Sequence, residues 1–390
     1  MKLIFAVDAI FPPLTGIGRY AWELAAGLAT TPGDIRYFSH GRFLANPTQH
    51  PMRQSSAAAA GSRPPLSARL RSRLALSRPV VKLYGAVMPH FFHWQLRNFS
   101  EHLYHSPNYF LPPFGGVGVS TLHDLSWMLY PQFHPAARVA FMNSELPKTL
   151  RRAAHLITDS EFIRQQVIAH LGWHPDKVTA IALGVDARFC PQTAQQTQPL
   201  LDIYGLQHGS FTLCVATVEP RKNIERLIAA HQGLPEALQR RYPLVLVGSS
   251  GWNSQALHEK IQGLAGSKLR YLNYVPQEHL YALYAGARVF AFPSLYEGFG
   301  LPVLEALASG CPALISRSTC LTEVGGTSAW QVNPLDVDDI RAGLEKTLQD
   351  DAWRTQAISQ GLGIANTMSW TRCFEQTLAL YQRLQPVAAQ

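Results

Sequence analysis

Acidic residues are missing from a long N-terminal stretch: between Asp34 and Glu101 there is none, while Arg36, Arg42, Arg53, Arg63, Arg69, Arg71, Arg73, Arg78, Lys82 and Arg97 keep it positive. Such a stretch is suited to an anionic partner. Cysteine is scarce, odd in number and dispersed (Cys190, Cys214, Cys311, Cys320, Cys373), never as Cys-x-x-Cys. That excludes a disulfide framework or a thiolate zinc site and predicts small buried apolar residues. No apolar run reaches the ~18 to 20 residues of a membrane-spanning helix. The first apolar run meets Asp8 too early for the core of a signal peptide, so a soluble, cytosolic chain is expected.

What is present is ample for two cores: 390 residues, 47% hydrophobic and 15% charged. The net charge of +8 is unevenly spread, with 19 Lys+Arg against 10 Asp+Glu in residues 1–200 and 15 against 16 in the rest. Short apolar runs alternate with helical patterns throughout. Strands are predicted at Lys2–Asp8, Val119–Leu122, Leu156–Thr158, Val178–Ala182, Thr212–Ala216, Leu244–Val247, Leu269–Leu272, Val289–Phe292 and Ala313–Ser316. The alternation implies an α/β protein with parallel sheets covered on both faces. The Gln-, Thr- and Pro-rich segment Ala187–Pro199 reads as a linker between two doubly wound domains, with a ligand cleft where their carboxyl edges meet.

The most informative segment runs from Phe292 to Gly310. A strand ends at Pro293, a Gly-rich loop carries Glu297, and Pro302 opens a helical run. Free N–H groups of Gly298, Phe299, Gly300 and Leu301, with the positive end of the helix dipole, would favour a phosphate or clustered hydroxyls. Glu305, on the first turn of that helix, could accept from a vicinal diol such as ribose, and Glu297 could reach a second polyol. Either acid alone also fits a favourable helix start. Gly16 and Gly18, between a strand and a helix, form a tight turn or let backbone approach a phosphate. His123, beside Asp124 at a strand end, is either an ordinary half-buried histidine or a group able to touch a sugar hydroxyl. Arg221-Lys222 precede a helix, where cations are disfavoured unless an anion is near.

Asp336, Asp338 and Asp339 read as solvated acids opening a helix, no other carboxylate pair suits a divalent ion, and no metal site is predicted. From Arg63 to Arg97, cations interleave with Leu66, Leu70, Leu74, Phe91, Phe92 and Trp94. This is the composition of helices lying in an anionic membrane interface, or of surface helices packed on a sheet. No element resembles a nucleic-acid-reading module.

The block from Pro293 to Pro312 resembles the Glu-x7-Glu signature of family 4 glycosyltransferases, retaining enzymes of the GT-B fold, and the resemblance extends along the chain. Gly16-Ile17-Gly18-Arg19-Tyr20 resembles the family's first loop, Thr121–Leu125 its His-Asp element, and Asp159–Phe162 its Ser-Glu-Phe turn. Leu183–Asp186 matches the end of the first domain. Thr217–Asn223 resembles the phosphate-binding stretch, Val247–Trp252 and Tyr274-Val275-Pro276 the nucleoside-side loops, and Trp370–Leu384 the closing helix. One departure stands out: many members place an Arg five residues before the Lys, where this chain has Thr217.

The resemblance implies two Rossmann-like domains, 1–190 on the acceptor side and 200–370 binding the nucleotide sugar, with residues 371–390 crossing back. It implies transfer of a hexose, with a lean to mannose or rhamnose from a GDP-sugar, onto a lipid-linked glycan in bacterial polysaccharide synthesis. Lys222 and Arg221, with the Gly16–Gly18 loop, would neutralise the diphosphate. Glu305 would hold the ribose, Val275 would line the nucleoside side, and Glu297, His123, Asp124 and the amides of Gly298–Leu301 would hold the donor sugar. The family needs neither metal nor cofactor. The basic stretch at 63–97 would place the protein on the inner face of the cell membrane. A GT-B epimerase or phosphorylase, and a non-catalytic membrane-surface scaffold, remain alternatives.

Overall fold

The computed structural model describes residues 1–390 apart from 12, 13, 15, 50–90, 250, 253, 254, 265, 318 and 386–390. β1 (Lys2–Ala6) is buried after its first residue and lies inside a seven-stranded sheet. The other strands of that sheet are β2 (Asp34–Ser39), β3 (Arg42–Leu44), β4 (Leu103–Ser106), β5 (Val117–Leu122), β6 (Ala153–Thr158) and β7 (Val178–Ala180). The order is β3-β2-β1-β4-β5-β6-β7, parallel except for the β2–β3 edge.

The second sheet has six parallel strands: β8 (Thr212–Val215), β9 (Leu244–Val247), β10 (Leu269–Tyr271), β11 (Val289–Phe292), β12 (Ala313–Ser316) and β13 (Trp330–Val332). Strands β9, β11 and β12 are buried along their whole length, as helices on both faces require. Each fully buried Leu, Val or Phe there contributes roughly 1.5–3 kcal/mol.

Strand order reverses between β1 and β4 in the first sheet and between β8 and β11 in the second, whose order is β10-β9-β8-β11-β12-β13. Crevices beyond the carboxyl ends of such pairs are where doubly wound sheets bind ligands. The segments there are the start of helix Gly16–Ala29, residues 216–223 and residues 293–300.

Every strand expected from sequence is present, and β2, β3, β4 and β13 are additional. β4 reads Leu-Tyr-His-Ser and hides polar side chains: His105 and Ser106 are buried, and the His105 ring is bonded to Thr121 and Tyr381. The expected linker is corrected. Its second half folds as helix Ala194–Ile203, started by a reciprocal capping box between Thr193 and Gln196 that satisfies the first backbone donors. The tight turn at Gly16 and Gly18 is also corrected, because both lie in the first turn of helix Gly16–Ala29. Of the cysteines, Cys190 is exposed and the other four are buried.

The chain crosses between domains twice, side by side. Val185 bridges to Ser369 and its N–H donates to the Met368 carbonyl at 3.2 Å. A Cβ at Gly184 would overlap the Trp370 backbone nitrogen, so only glycine permits this approach. Helix Trp370–Leu384 then returns to the first domain, where the buried Tyr381 hydroxyl meets His105 and Phe374 covers Gly27.

Candidate active site

The strand ends β8 and β11 bring a compact charge cluster together. Lys222 Nζ donates to Glu297 Oε1 at 2.7 Å and Oε2 at 3.0 Å, and Arg221 Nη1 donates to Glu297 Oε2 at 2.9 Å. Arg221 also donates to the Tyr296 carbonyl and, through Nη2, to Glu219 at 2.8 Å. Burial alone would raise the Glu297 carboxyl; the two cations outweigh it and hold it below the usual glutamate value. The loops that carry these groups are tied to each other. Asn223, at φ 59, donates from its amide to the carbonyls of Pro293 and Pro334, and Leu295 N–H donates to the Arg221 carbonyl. Arg221 is thus committed to holding the loop, whereas the Lys222 ammonium rests on the Phe292 ring with Glu297 as its carboxylate partner.

The Gly-rich loop enters helix Leu301–Ala308 through Gly300 at φ 112, with Pro302 in the first turn. Its carbonyls are occupied from behind: the Cys320 thiol approaches those of Glu297 and Phe299, and Ser160 Oγ donates to that of Gly298 at 2.8 Å. This turns the N–H side of Gly298, Phe299, Gly300 and Leu301 away from those contacts. A Cβ on Gly16 would stand 3.6 Å from Leu301, so the first helix of one domain faces the first turn of this helix in the other. Glu305 lies in the second turn, not the first as expected. Burial pushes its carboxyl up to about 7. Near it, Arg19 bridges Glu23 at 2.7 Å and Asp186 at 2.6 Å. Val275 is buried in the loop after β10.

His123 is placed differently from expectation. Its Nδ1 lies 2.7 Å from Asp159 Oδ2, and its Nε2 donates to the Pro107 carbonyl at 2.8 Å. A carbonyl only accepts, so Nε2 carries a proton, and a second proton sits between Nδ1 and Asp159. Burial opposes the charged ring, but Asp159 overrides it and raises the His123 pKa. With both nitrogens committed, this ring has no free hydrogen-bonding group to offer a sugar. What it presents to the cleft is its backbone: a Cβ on Gly298 would overlap the His123 carbonyl oxygen. Asp124 accepts from Ser126 N–H and Oγ; burial would raise it, and Arg221 with Ser126 holds it low.

Contacts across the cleft close the domains on each other. Leu125 N–H donates to the Tyr296 hydroxyl at 3.1 Å, and that hydroxyl donates to Gln166 at 2.6 Å. Glu323 accepts from the N–H groups of Glu161 (2.9 Å) and Phe162 (2.5 Å), the first residues of helix Glu161–Leu171. A carboxylate there satisfies orphan donors and meets the positive helix end. Tyr296, Glu219 and Asp159 fall within the motifs named from sequence but were given no role there, and Glu323 lies outside them. Glu323 carries no local signal, since its partners lie about 160 residues away. Asp336 caps helix Val337–Gln349, as its position suggested. Most of the basic stretch 63–97 lies outside the described residues; at its end Phe91 and Trp94 are exposed and the Arg97 guanidinium sits 5.5 Å from the Trp94 ring centre. Among the described residues no helix is long and apolar enough to cross a membrane.

Two Rossmann-like sheets whose switch points face one cleft, with a Lys–Glu pair beside a Gly-rich helix start, define a glycosyltransferase of the GT-B architecture. Residues 14–189 match the model of Glycosyltransferase Family 4, and residues 206–362 that of Glycosyl transferases group 1. The chain is 38% identical over 98% of its length, and 100% of the relative's, to the O-antigen chain mannosyltransferase B of Escherichia coli. Among solved structures, sucrose-phosphate synthase from Thermosynechococcus elongatus shares the fold at TM-score 0.69 and 20% identity, covering 98% of this chain and 99% of that one. WaaG, a glycosyltransferase involved in lipopolysaccharide biosynthesis, does so at TM-score 0.69 and 16% identity, covering 97% and 99%. The chain belongs to the family 4 glycosyltransferases.

Proposed function

We propose that the protein is a retaining mannosyltransferase that moves mannose from GDP-mannose onto a lipid-linked glycan during O-antigen synthesis, without a metal ion. The sugar assignment is supported by the relative that matches over essentially both whole chains. The chemistry is supported by one observation above all: the Lys222–Glu297 pair beside the first turn of helix Leu301–Ala308 at the β8/β11 switch point. In this reading the diphosphate displaces Glu297 as the partner of Lys222. The freed carboxylate then turns to the donor sugar, while the amides of Gly298–Leu301 meet the remaining anionic oxygens. Glu305 accepts from the ribose diol.

The reaction is a same-face substitution. The bond from the anomeric carbon to the diphosphate oxygen breaks as the acceptor oxygen bonds to that carbon, and the departing oxygen takes the acceptor's proton. Catalysis is therefore charge stabilisation and positioning. The exposed Trp94 and Phe91 with Arg97 support a membrane-facing surface on the first domain.

The test is product analysis with GDP-mannose and a mannose-terminated acceptor, the anomeric configuration read by NMR. An α-linked product formed only with acceptor supports the reading. Product without acceptor points to an epimerase, and an inverted linkage overturns the mechanism.

A further inference from the structure

One buried side chain of the first domain is unexplained by the donor site. His134 is 7% exposed, and both of its ring nitrogens are buried without a hydrogen-bond partner. A neutral imidazole carries one donor and one acceptor, and leaving both buried and unmet is unfavourable. Its surroundings are those of the reaction centre: Asp124, Arg221 and Glu219 all act on it electrostatically.

The lid over His134 comes from the opposite domain. Trp252, expected among the nucleoside-side loops, lies in the loop after β9 but turns its ring to the other domain instead, the ring centre 5.8 Å from that of His134 and the Arg138 guanidinium 5.1 Å from the indole. The loop is pinned to the β8 loop by Val218 N–H to the Ser249 carbonyl and Gly251 N–H to the Val218 carbonyl, both 2.9 Å. His134 and Arg138 belong to the first domain, so this cluster forms only when the domains meet. Trp252 keeps 36% of its surface exposed.

We propose that His134, Arg138 and Trp252 form the seat of the acceptor's terminal sugar: the imidazole hydrogen-bonds a pyranose hydroxyl, and the indole, with Arg138 moved aside, covers an apolar C–H face of the ring. The inference rests on the transferase reading above and adds the acceptor side to it. A neutral polyol fits better than a phosphate, because burial and then Arg138 hold the histidine below its ordinary pKa and uncharged. Aromatic faces with a few convergent polar groups are the usual lining of such sites.

The experiment uses the full chain with GDP-mannose saturating and octyl α-D-mannopyranoside varied, for the wild type, His134→Ala, Trp252→Ala and Trp252→Phe. Loss of a ligand hydrogen bond or of the aromatic cover is expected to raise the acceptor KM about tenfold in the two alanine variants. Trp252→Phe should recover most of it, and the melting shift produced by GDP should be kept in all three. An acceptor KM within about twofold of wild type in both alanine variants overturns the seat. So does a GDP shift that falls in step with the acceptor effect, which would put these residues on the donor side. A wild-type protein that no nucleoside diphosphate shifts removes the transferase reading, and the acceptor seat with it.

Discussion

Lys222 donates to both carboxylate oxygens of Glu297, so the cation expected to meet a diphosphate already holds a buried anion from its own domain. The arrangement prepays the cost of burying a charge, since neither group is left unpaired before a donor arrives. It also ties two functions to one contact.

Lys222→Ala should therefore lower kcat by about 10²–10³, the size associated with losing one group that stabilises departing charge. Folding should suffer less, because Arg221 still pairs with Glu297. Turnover assays with GDP-mannose, alongside thermal melts, check both. Addition of EDTA to the wild type should leave the rate unchanged.

At Gly298 the second domain packs on the first with no room for a side chain. In Gly298→Ala the new Cβ would overlap the His123 carbonyl, and the domains would be held apart. Transfer should fall by more than about tenfold while GDP binding persists, since in the proposed reading the nucleotide contacts come from the second domain. Calorimetry and solution scattering would show retained affinity with a larger radius of gyration.

Glu305 gives opposite pH signatures for stability and binding. Its carboxyl is raised to about 7, so between its ordinary 4.5 and 7 the folded chain keeps a proton the unfolded chain has lost. The stability from this group is full below about 4.5 and disappears as pH rises through 7. Nucleotide affinity should move the other way, improving about tenfold from pH 6 to pH 8 as the carboxylate forms. Glu305→Gln should flatten both trends and weaken GDP binding above pH 7. Melting curves and GDP titrations at pH 6, 7 and 8 decide it.

Glu323→Ala removes the carboxylate that closes on the helix Glu161–Leu171 from the other domain. An exposed carboxylate at a helix start is worth about 0.3–1 kcal/mol, so the closed form should lose up to about fivefold in population. A lower transfer rate with an unchanged GDP affinity is the expected result; a change in GDP affinity alone would contradict it.

The cluster at the β8 and β11 strand ends was readable in part because it is local in sequence. Glu297 and Glu305 are eight residues apart across one loop and helix start, and Lys222 sits where a cation is costly without an anion. The partners of His123 were not legible for the opposite reason: Asp159 and the Pro107 carbonyl come from two other strand ends. The segment 187–199 was misread as a linker because Gln, Thr and Pro suppress helical periodicity, while the Thr193–Gln196 capping box and burial of Leu201 fold its second half.

The sequence by itself determined the alternation that makes two parallel sheets, the glycine path at Gly298 and Gly300, and the residue types of the loop that enters helix Leu301–Ala308. These follow from period, turn chemistry and helix-end electrostatics, which act over a few residues. Only the tertiary structure decided that Glu297 neutralises Lys222, that His123 is spent on Asp159, that Glu323 spans the cleft, and that His134 is buried with nothing to bond. Burial and pairing depend on which strand ends meet, and that is settled by sheet order and domain closure rather than by neighbours in the chain.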